Sequence, residues 1–361
     1  MRYQDIRRQS RSVRVGALTI GGRAPLSVQS MTNTDTHDVA ATLAQVRALE
    51  AAGCDIVRLT VPDLAAADTI CALKEAGIRA PLVADIHFDY KIALAVAERG
   101  VDKIRINPGN IGGEERVREV ANACRARGIP IRIGVNGGSL EKEILAKYGA
   151  PTGEALAESA LYHASLLEKC DFEDIVISIK SSDVSTMICA NRILAEKTCY
   201  PLHLGVTEAG GEQMGSIKSA IGIGALLADG IGDTLRVSLT ADPVAEIAAA
   251  RRILSALKIE GQCGLDIVSC PTCGRTRIDL IDLCARFEEA AKKEGLMNVP
   301  LRVALMGCVV NGPGEAREAD IAVCGGDGEA LLIERGRTLG KIPEGQIIDT
   351  LIAKLKEIAG K

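Results

Sequence analysis

The chain has 361 residues, 47% of them hydrophobic and 25% charged, and 43 Lys and Arg set against 47 Asp and Glu give a formal charge of −4. So even a balance excludes a polybasic nucleic-acid binder held by phosphate neutralisation, and aromatics at 2% are too few for base-stacking platforms. No apolar run reaches the ~18–20 residues of a membrane span, so neither nucleic acid nor membrane is an expected partner.

The opening MRYQDIRRQS has no apolar core for a signal peptide, and Asp5 argues against a transit peptide, so a cytoplasmic location is expected. Short β-branched runs then recur: LSVQSM (26–31), IVRLTV (56–61), LVADIH (82–87), KIRINP (103–108), PIRIGV (130–135), IVISIK (175–180), PLHLGV (201–206) and TLRVSL (234–239). Ala- and Leu-rich segments of helical periodicity separate them, several ending in Gly as a helix C-cap does. DPVAEIAAARRILSALK (242–258) supplies the helix after the eighth run. Eight such units predict a (β/α)8 TIM barrel. An open dinucleotide-binding sheet is the rival, but Gly222-x-Gly224 lies inside a helical stretch, without the strand–turn context that motif needs.

From Gly261 the texture changes to Gly-, Cys- and Pro-rich turns around a helix (277–295), strands at 301–307 and 319–326, and a last helix near 346–359. This predicts an α/β chain of two parts, a barrel over 1–259 and a small α+β domain over 260–361.

Active sites of TIM barrels form at the C-terminal strand ends. Those ends carry Arg58, Arg105, Arg132 and Arg236, in the patterns VRL, IRI, IRI and LRV, with Lys180 at the end of the sixth run. Asp85, His87, Asn136, His203, Glu208 and Ser238 join them. One such Arg is unremarkable, but five cations converging in one mouth repel each other unless a polyanion neutralises them. Arg suits bidentate phosphate contacts and Lys acts as a point charge, so a ligand with two phosphates or more, such as a compact diphosphate, is expected. Strand alternation directs Arg58 inward, where a charge can reach solvent. Two residues allow other roles: Lys180 could form an imine in a lyase or aldolase. Glu208, in GVTEAGG, is either a proton donor and acceptor or a counter-ion for the Arg set.

Six of the twelve cysteines fall in the last 101 residues, which points to a metal there. Cys270-x-x-Cys273 places two thiolates on one tight turn, and Cys308 opens a loop bearing Gly-Pro-Gly at 312–314. A closed zinc site would want a second CxxC, which is missing. Cys263, Cys284 and Cys324 are possible fourth ligands, although Cys284 falls mid-helix and Cys324 in an apolar strand. Three thiolates without a fourth suit an iron–sulfur cluster with one special iron. A non-catalytic electron carrier is the alternative, but it has no need of a polycationic barrel.

SCPTCGRT (269–276) and CVVNGPGEAREADIAVCG (308–325), with VQSMTNTDT (28–36) and KIRINPGNIG (103–112), closely resemble the 4-hydroxy-3-methylbut-2-en-1-yl diphosphate synthase family in its two-domain bacterial form. The resemblance spans essentially the whole chain. It implies that Cys270, Cys273 and Cys308 ligate a [4Fe-4S] cluster, with Glu315 on the fourth iron until substrate displaces it. It implies that 2-C-methyl-D-erythritol 2,4-cyclodiphosphate binds through Arg58, Arg105, Arg132, Asn136, Lys180, Arg236 and Ser238, with Glu208 as acid/base. It further implies flavodoxin or ferredoxin as electron donor, and a head-to-tail homodimer in which one subunit's cluster domain caps its partner's barrel.

Overall fold

The computed structural model describes residues 3–259, 264–297 and 299–360. Two compact units, Met1–Ile253 and Leu254–Lys361, divide within the helix Pro243–Ala256.

In the first unit a short helical turn, Tyr3–Ile6, precedes a hairpin that the sequence reading did not foresee, β1 (Val13–Val15) and β2 (Leu18–Ile20). The eight predicted runs then appear as parallel strands. They are β3 (Ser27–Met31), β4 (Ile56–Thr60), β5 (Leu82–Asp85), β6 (Lys103–Ile106), β7 (Ile131–Asn136), β8 (Ile175–Lys180), β9 (His203–Leu204) and β10 (Thr234–Leu235). Their order is β8-β7-β6-β5-β4-β3-β10-β9, and a parallel bridge from Ile177 to Leu202 brings β9 back against β8. The barrel is thus as expected, apart from the brevity of its last two strands. Gly205 lies so close to the Arg236 carbonyl that a Cβ would stand 2.6 Å from its oxygen, and the β9 ladder ends there.

Local chemistry fixes the helices between strands. Asp38, Asp89, Thr152 and Asp183 each accept a backbone N–H in the first turn of the helix they precede. Gly128 closes the helix Glu114–Arg127 in the left-handed conformation. At the N-terminal end of the barrel, Val15 and Ile20 of the hairpin pack on Ile56 and Val83 as an apolar plug. Inward positions nearer the C-terminal end are polar, which leaves that end for a site.

The second unit is a five-stranded sheet in the order β11 (Asp266–Ser269), β12 (Arg302–Met306), β13 (Ile321–Gly325), β14 (Glu329–Glu334) and β15 (Arg337–Pro343). The first three strands are parallel and the last two antiparallel. The helices Leu280–Lys293 and Ile347–Ala359 cover one face, where Phe287, Leu351 and Leu355 meet Val303, Ile321 and Val323. Small residues line the other face, among them Ala304, Ala322 and Cys324. The β14–β15 hairpin was not predicted. Its two-residue turn is Arg335-Gly336, both at positive φ, and an Arg in that place does not announce the turn as Asn or Asp does.

Candidate active site

Twelve residues enclose a cavity of about 200 Å³ at the C-terminal end of the barrel: Arg58, His87, Arg105, Arg132, Gly134, Val135, Asn136, Ser178, Lys180, Thr207, Arg236 and Ser238. All seven residues assigned to diphosphate binding are among them. Glu208 is not. It sits exposed in the loop after β9 at a φ of 51°, a left-handed conformation that costs a non-glycine residue roughly 1 kcal/mol or more.

Parallel register explains the convergence. Arg105 of β6 pairs with Asp85 of β5 and Arg132 of β7, so the three side chains share the inner face. Gly134, the next inward position on β7, leaves the room that Arg105 needs, since a Cβ there would stand 2.5 Å from its Nε. Gly205 does the same for Lys180, whose Nζ would lie 2.7 Å from a Cβ.

The expectation that these cations are held apart only by a ligand needs correction, because two buried carboxylates already pair with three of the arginines. Asp85 receives Arg58 Nη2 at 2.9 Å and Arg105 Nη1 at 3.0 Å. Burial alone would raise its pKa, but Arg58 and Arg105 outweigh burial and hold it at about 2. Glu246, on the helix after β10, takes Arg236 in a two-pronged contact at 2.9 and 3.0 Å and accepts the Ser30 hydroxyl at 2.7 Å. Sequence reading noted Asp85 without giving it a role and passed over Glu246. The available signal was Asp85's inward parity between two Arg-bearing strands.

The remaining cations are not neutralised in this way. Arg132 is 1% exposed, and its Nε and Nη1 have no partner among the described residues. Burial, then Arg236 and Arg132, drives the Lys180 amine well below the usual lysine range. An arriving polyanion would find two donors of Arg132 unpartnered, Lys180 on the cavity wall, and Arg58, Arg105 and Arg236 already oriented.

In the second unit, β11 and β12 run side by side with Ser269 opposite Leu305, so Cys270 and Cys308 leave adjacent strand ends. The Gly307 N–H donates to Cys270 Sγ at 3.2 Å. Backbone N–H groups of Asn311 and Val310, with Gly312, draw the Cys308 thiol below its ordinary pKa. Cys273 and Glu315 are exposed. Cys324 is buried in β13 and Cys284 lies in the helix Leu280–Lys293, as read from the sequence; Cys263 falls outside the described residues.

A family model described as the GcpE TIM-barrel domain matches residues 10–251, and one described as the GcpE protein C-terminal domain matches residues 266–357. A 4-hydroxy-3-methylbut-2-en-1-yl diphosphate synthase (flavodoxin) of Ruminiclostridium cellulolyticum is 55% identical over 352 residues, covering 98% of each chain. One from Clostridium perfringens is 56% identical over 357 residues, 98% of this chain and 99% of its own. The chain belongs to the 4-hydroxy-3-methylbut-2-en-1-yl diphosphate synthase family. Among solved structures, dihydropteroate synthase from Thermus thermophilus covers 69% of the chain and 99% of its own with a TM-score of 0.50 at 14% identity, a likeness of fold alone.

Members of this family are iron–sulfur oxidoreductases that carry a [4Fe-4S] cluster. Membership decides against the lyase and electron-carrier alternatives. The thiols fit the family's cluster: Cys270 and Cys308 leave adjacent strand ends, backbone donors favour the Cys308 thiolate, and Cys308, Cys270 and Glu315 lie near enough to act on Cys324. Among the described residues no three His, Cys, Asp or Glu side chains stand close enough to chelate a single ion. A four-iron cube distributes its ligands over separate irons, so it does not require that convergence. No helix among the described residues is long and apolar enough to cross a membrane.

Proposed function

We infer that the barrel cavity binds the cyclic diphosphate of the family's reaction and that the cysteine edge of the second unit holds its cluster. The reaction is reductive ring opening and dehydration of 2-C-methyl-D-erythritol 2,4-cyclodiphosphate to (E)-4-hydroxy-3-methylbut-2-enyl diphosphate, in isoprenoid biosynthesis. The observation that carries the substrate assignment is the paired-and-unpaired cation set. Arg58, Arg105 and Arg236 are fixed by Asp85 and Glu246, while two N–H donors of Arg132 have no partner among the described residues and Lys180 lines the cavity beside them.

In this reading Arg58, Arg105, Arg132, Lys180 and Arg236 hold the two phosphates, and Asn136 and Ser238 supply neutral polar contacts. Asn136 is itself fixed, its Oδ1 accepting the Gly138 N–H at 3.1 Å. Glu208 serves as the proton donor, brought to the substrate from its exposed loop. Cys270, Cys273 and Cys308 hold the cluster, with Glu315 as the displaceable fourth ligand; when bound, the cluster supplies two electrons one at a time and a Lewis-acidic iron. The functional domains are 1–259 and 260–361, the donor is flavodoxin and the enzyme is cytoplasmic.

Anaerobically prepared protein, assayed with the cyclic diphosphate and reduced flavodoxin, is expected to release the allylic diphosphate. Protein that binds zinc alone and turns nothing over would overturn the assignment.

The active assembly in this proposal is a head-to-tail homodimer, whose test is complementation. Arg132→Met lacks a working barrel and Cys308→Ser a working cluster. A mixed dimer then regains one intact site only if barrel and cluster come from different subunits. Mixed dimers as inactive as either parent would exclude the exchange.

A further inference from the structure

Beneath the cavity the barrel interior stays polar. Lys103 and Arg105 are two apart on β6, so both point inward, with Lys103 a step nearer the apolar plug. Lys103 is completely buried, and its Nζ has no hydrogen-bond partner among the described residues. The groups facing it are Arg132 from β7, Arg58 from β4 and His203 from β9. The oxygens of Asp85 are engaged by Arg58 and Arg105, and those of Glu246 by Arg236, Ser30 and the Leu239 N–H. An ammonium there would have lost its water and gained only like charge, so the free amine is the form the site holds. Burial first, then Arg132 and Arg58, lowers its pKa well below that of an ordinary lysine. Burial first, then Arg132, lowers the pKa of the neighbouring His203 imidazole in the same direction.

The ligand above this amine changes charge as it reacts. Ring opening breaks a C–O bond and leaves the electron pair on the phosphate oxygen, so a cyclic dianion becomes an open trianion. Two electrons from the flavodoxin-class donor and one proton balance the departure of the hydroxyl as water. The barrel therefore meets one more negative charge after the chemistry than before it. Lys180 lines the cavity and faces the phosphates of either ligand, so Lys103, one inward layer beneath, is the further amine that can add a positive one.

We propose that Lys103 is the charge-compensating residue of this site: a neutral amine while the cavity is empty or holds the cyclic dianion, it takes up a proton when the cavity holds the open-chain trianion. Lys103 does not line the cavity, so it is a positioning residue that acts through the field it shares with Arg132. The inference rests on the diphosphate reading of the cavity.

The test is calorimetric binding to the full chain at pH 8, where the last phosphate ionisation (pKa ~6) is complete, in two buffers of different ionisation enthalpy. Wild type is expected to take up about one proton more per (E)-4-hydroxy-3-methylbut-2-enyl diphosphate bound than per cyclic diphosphate bound, because any uptake by Lys180 on the cavity wall is common to both ligands. Lys103→Met should abolish that difference and weaken the open-chain ligand about tenfold, leaving the cyclic ligand within about twofold. Lys103→Arg, permanently charged, should bind the open-chain ligand without the extra proton. A difference that persists in either variant places the extra proton elsewhere and overturns the proposal. Equal proton uptake by wild type with the two ligands overturns it without needing a variant. Wild type that binds neither ligand removes the diphosphate reading itself.

Discussion

The barrel mouth and the cysteine edge both lie at the C-terminal ends of parallel strands, yet they hold their functional groups by opposite means. In the mouth, side chains fix side chains: Asp85 and Glu246, each almost wholly buried, set three arginines before any ligand arrives. At the cysteine edge, backbone N–H groups address Cys308 and Cys270, while Cys273 and Glu315 stand exposed. In the proposed reading the first site is preorganised for a polyanion, and the second is a partial ligand set for a metal to complete. The difference teaches that substrate binding and cluster retention should be separable by mutation.

The largest effect expected is that of Cys308→Ser. Turnover should fall by about a thousandfold or more and the iron–sulfur absorbance near ~400 nm should vanish. Calorimetric binding of the cyclic diphosphate should stay within about twofold of wild type. If diphosphate binding were lost as well, the two sites would not be independent. Glu208→Gln comes next. As it stands off the cavity wall, its loss should lower kcat by about a hundredfold and leave the Kd of the cyclic diphosphate unchanged. An unchanged kcat would reduce Glu208 to a surface charge on an unusual turn.

What could be read from sequence divides along the same line. Strand parity and the strand-end rule were enough to find Arg58, Arg105, Arg132, Lys180 and Arg236, because a period of two determines which residues face inward. The same rule reached Asp85 without revealing that it links Arg58 to Arg105, since a salt bridge depends on register between strands rather than spacing within one. Glu246 was invisible for another reason: it reaches Arg236 and Ser30 from a helix whose rotation about its axis no local pattern reports. Lys103 read as the first residue of a strand, where a lysine is ordinarily solvated; only the closed barrel makes it buried. In the second unit, Cys270-x-x-Cys273 announces itself, whereas the role expected of Glu315 comes from family resemblance alone, one carboxylate among several in GEAREAD.

Arg132 offers the sharper test of the mouth. Two of its N–H donors are unpartnered, so Arg132→Met should weaken the cyclic diphosphate by about 10- to 100-fold, the loss of a charge-assisted contact. Cluster content should not change. A comparable loss of iron on Arg132→Met would contradict the separation of the two sites.

The smallest effect expected is on stability and comes from Asp85. Its carboxyl, at about 2 when folded, lies below the ~3.9 of an unfolded chain. A depressed acid contributes stability above its unfolded pKa and loses it as pH falls through the folded value. The contribution is therefore complete above about pH 5, on the order of 2 kcal/mol, and gone near pH 2. Urea unfolding of wild type and Asp85→Asn should show a gap in midpoint that is widest at pH 6 and shrinks on acidification from about pH 4 downward. The amide cannot titrate, so only wild type supplies the slope. A gap of constant size across that range would mean that Arg58 and Arg105 do not hold an ionised carboxylate between them, and the mouth would then be no better preorganised than the cysteine edge.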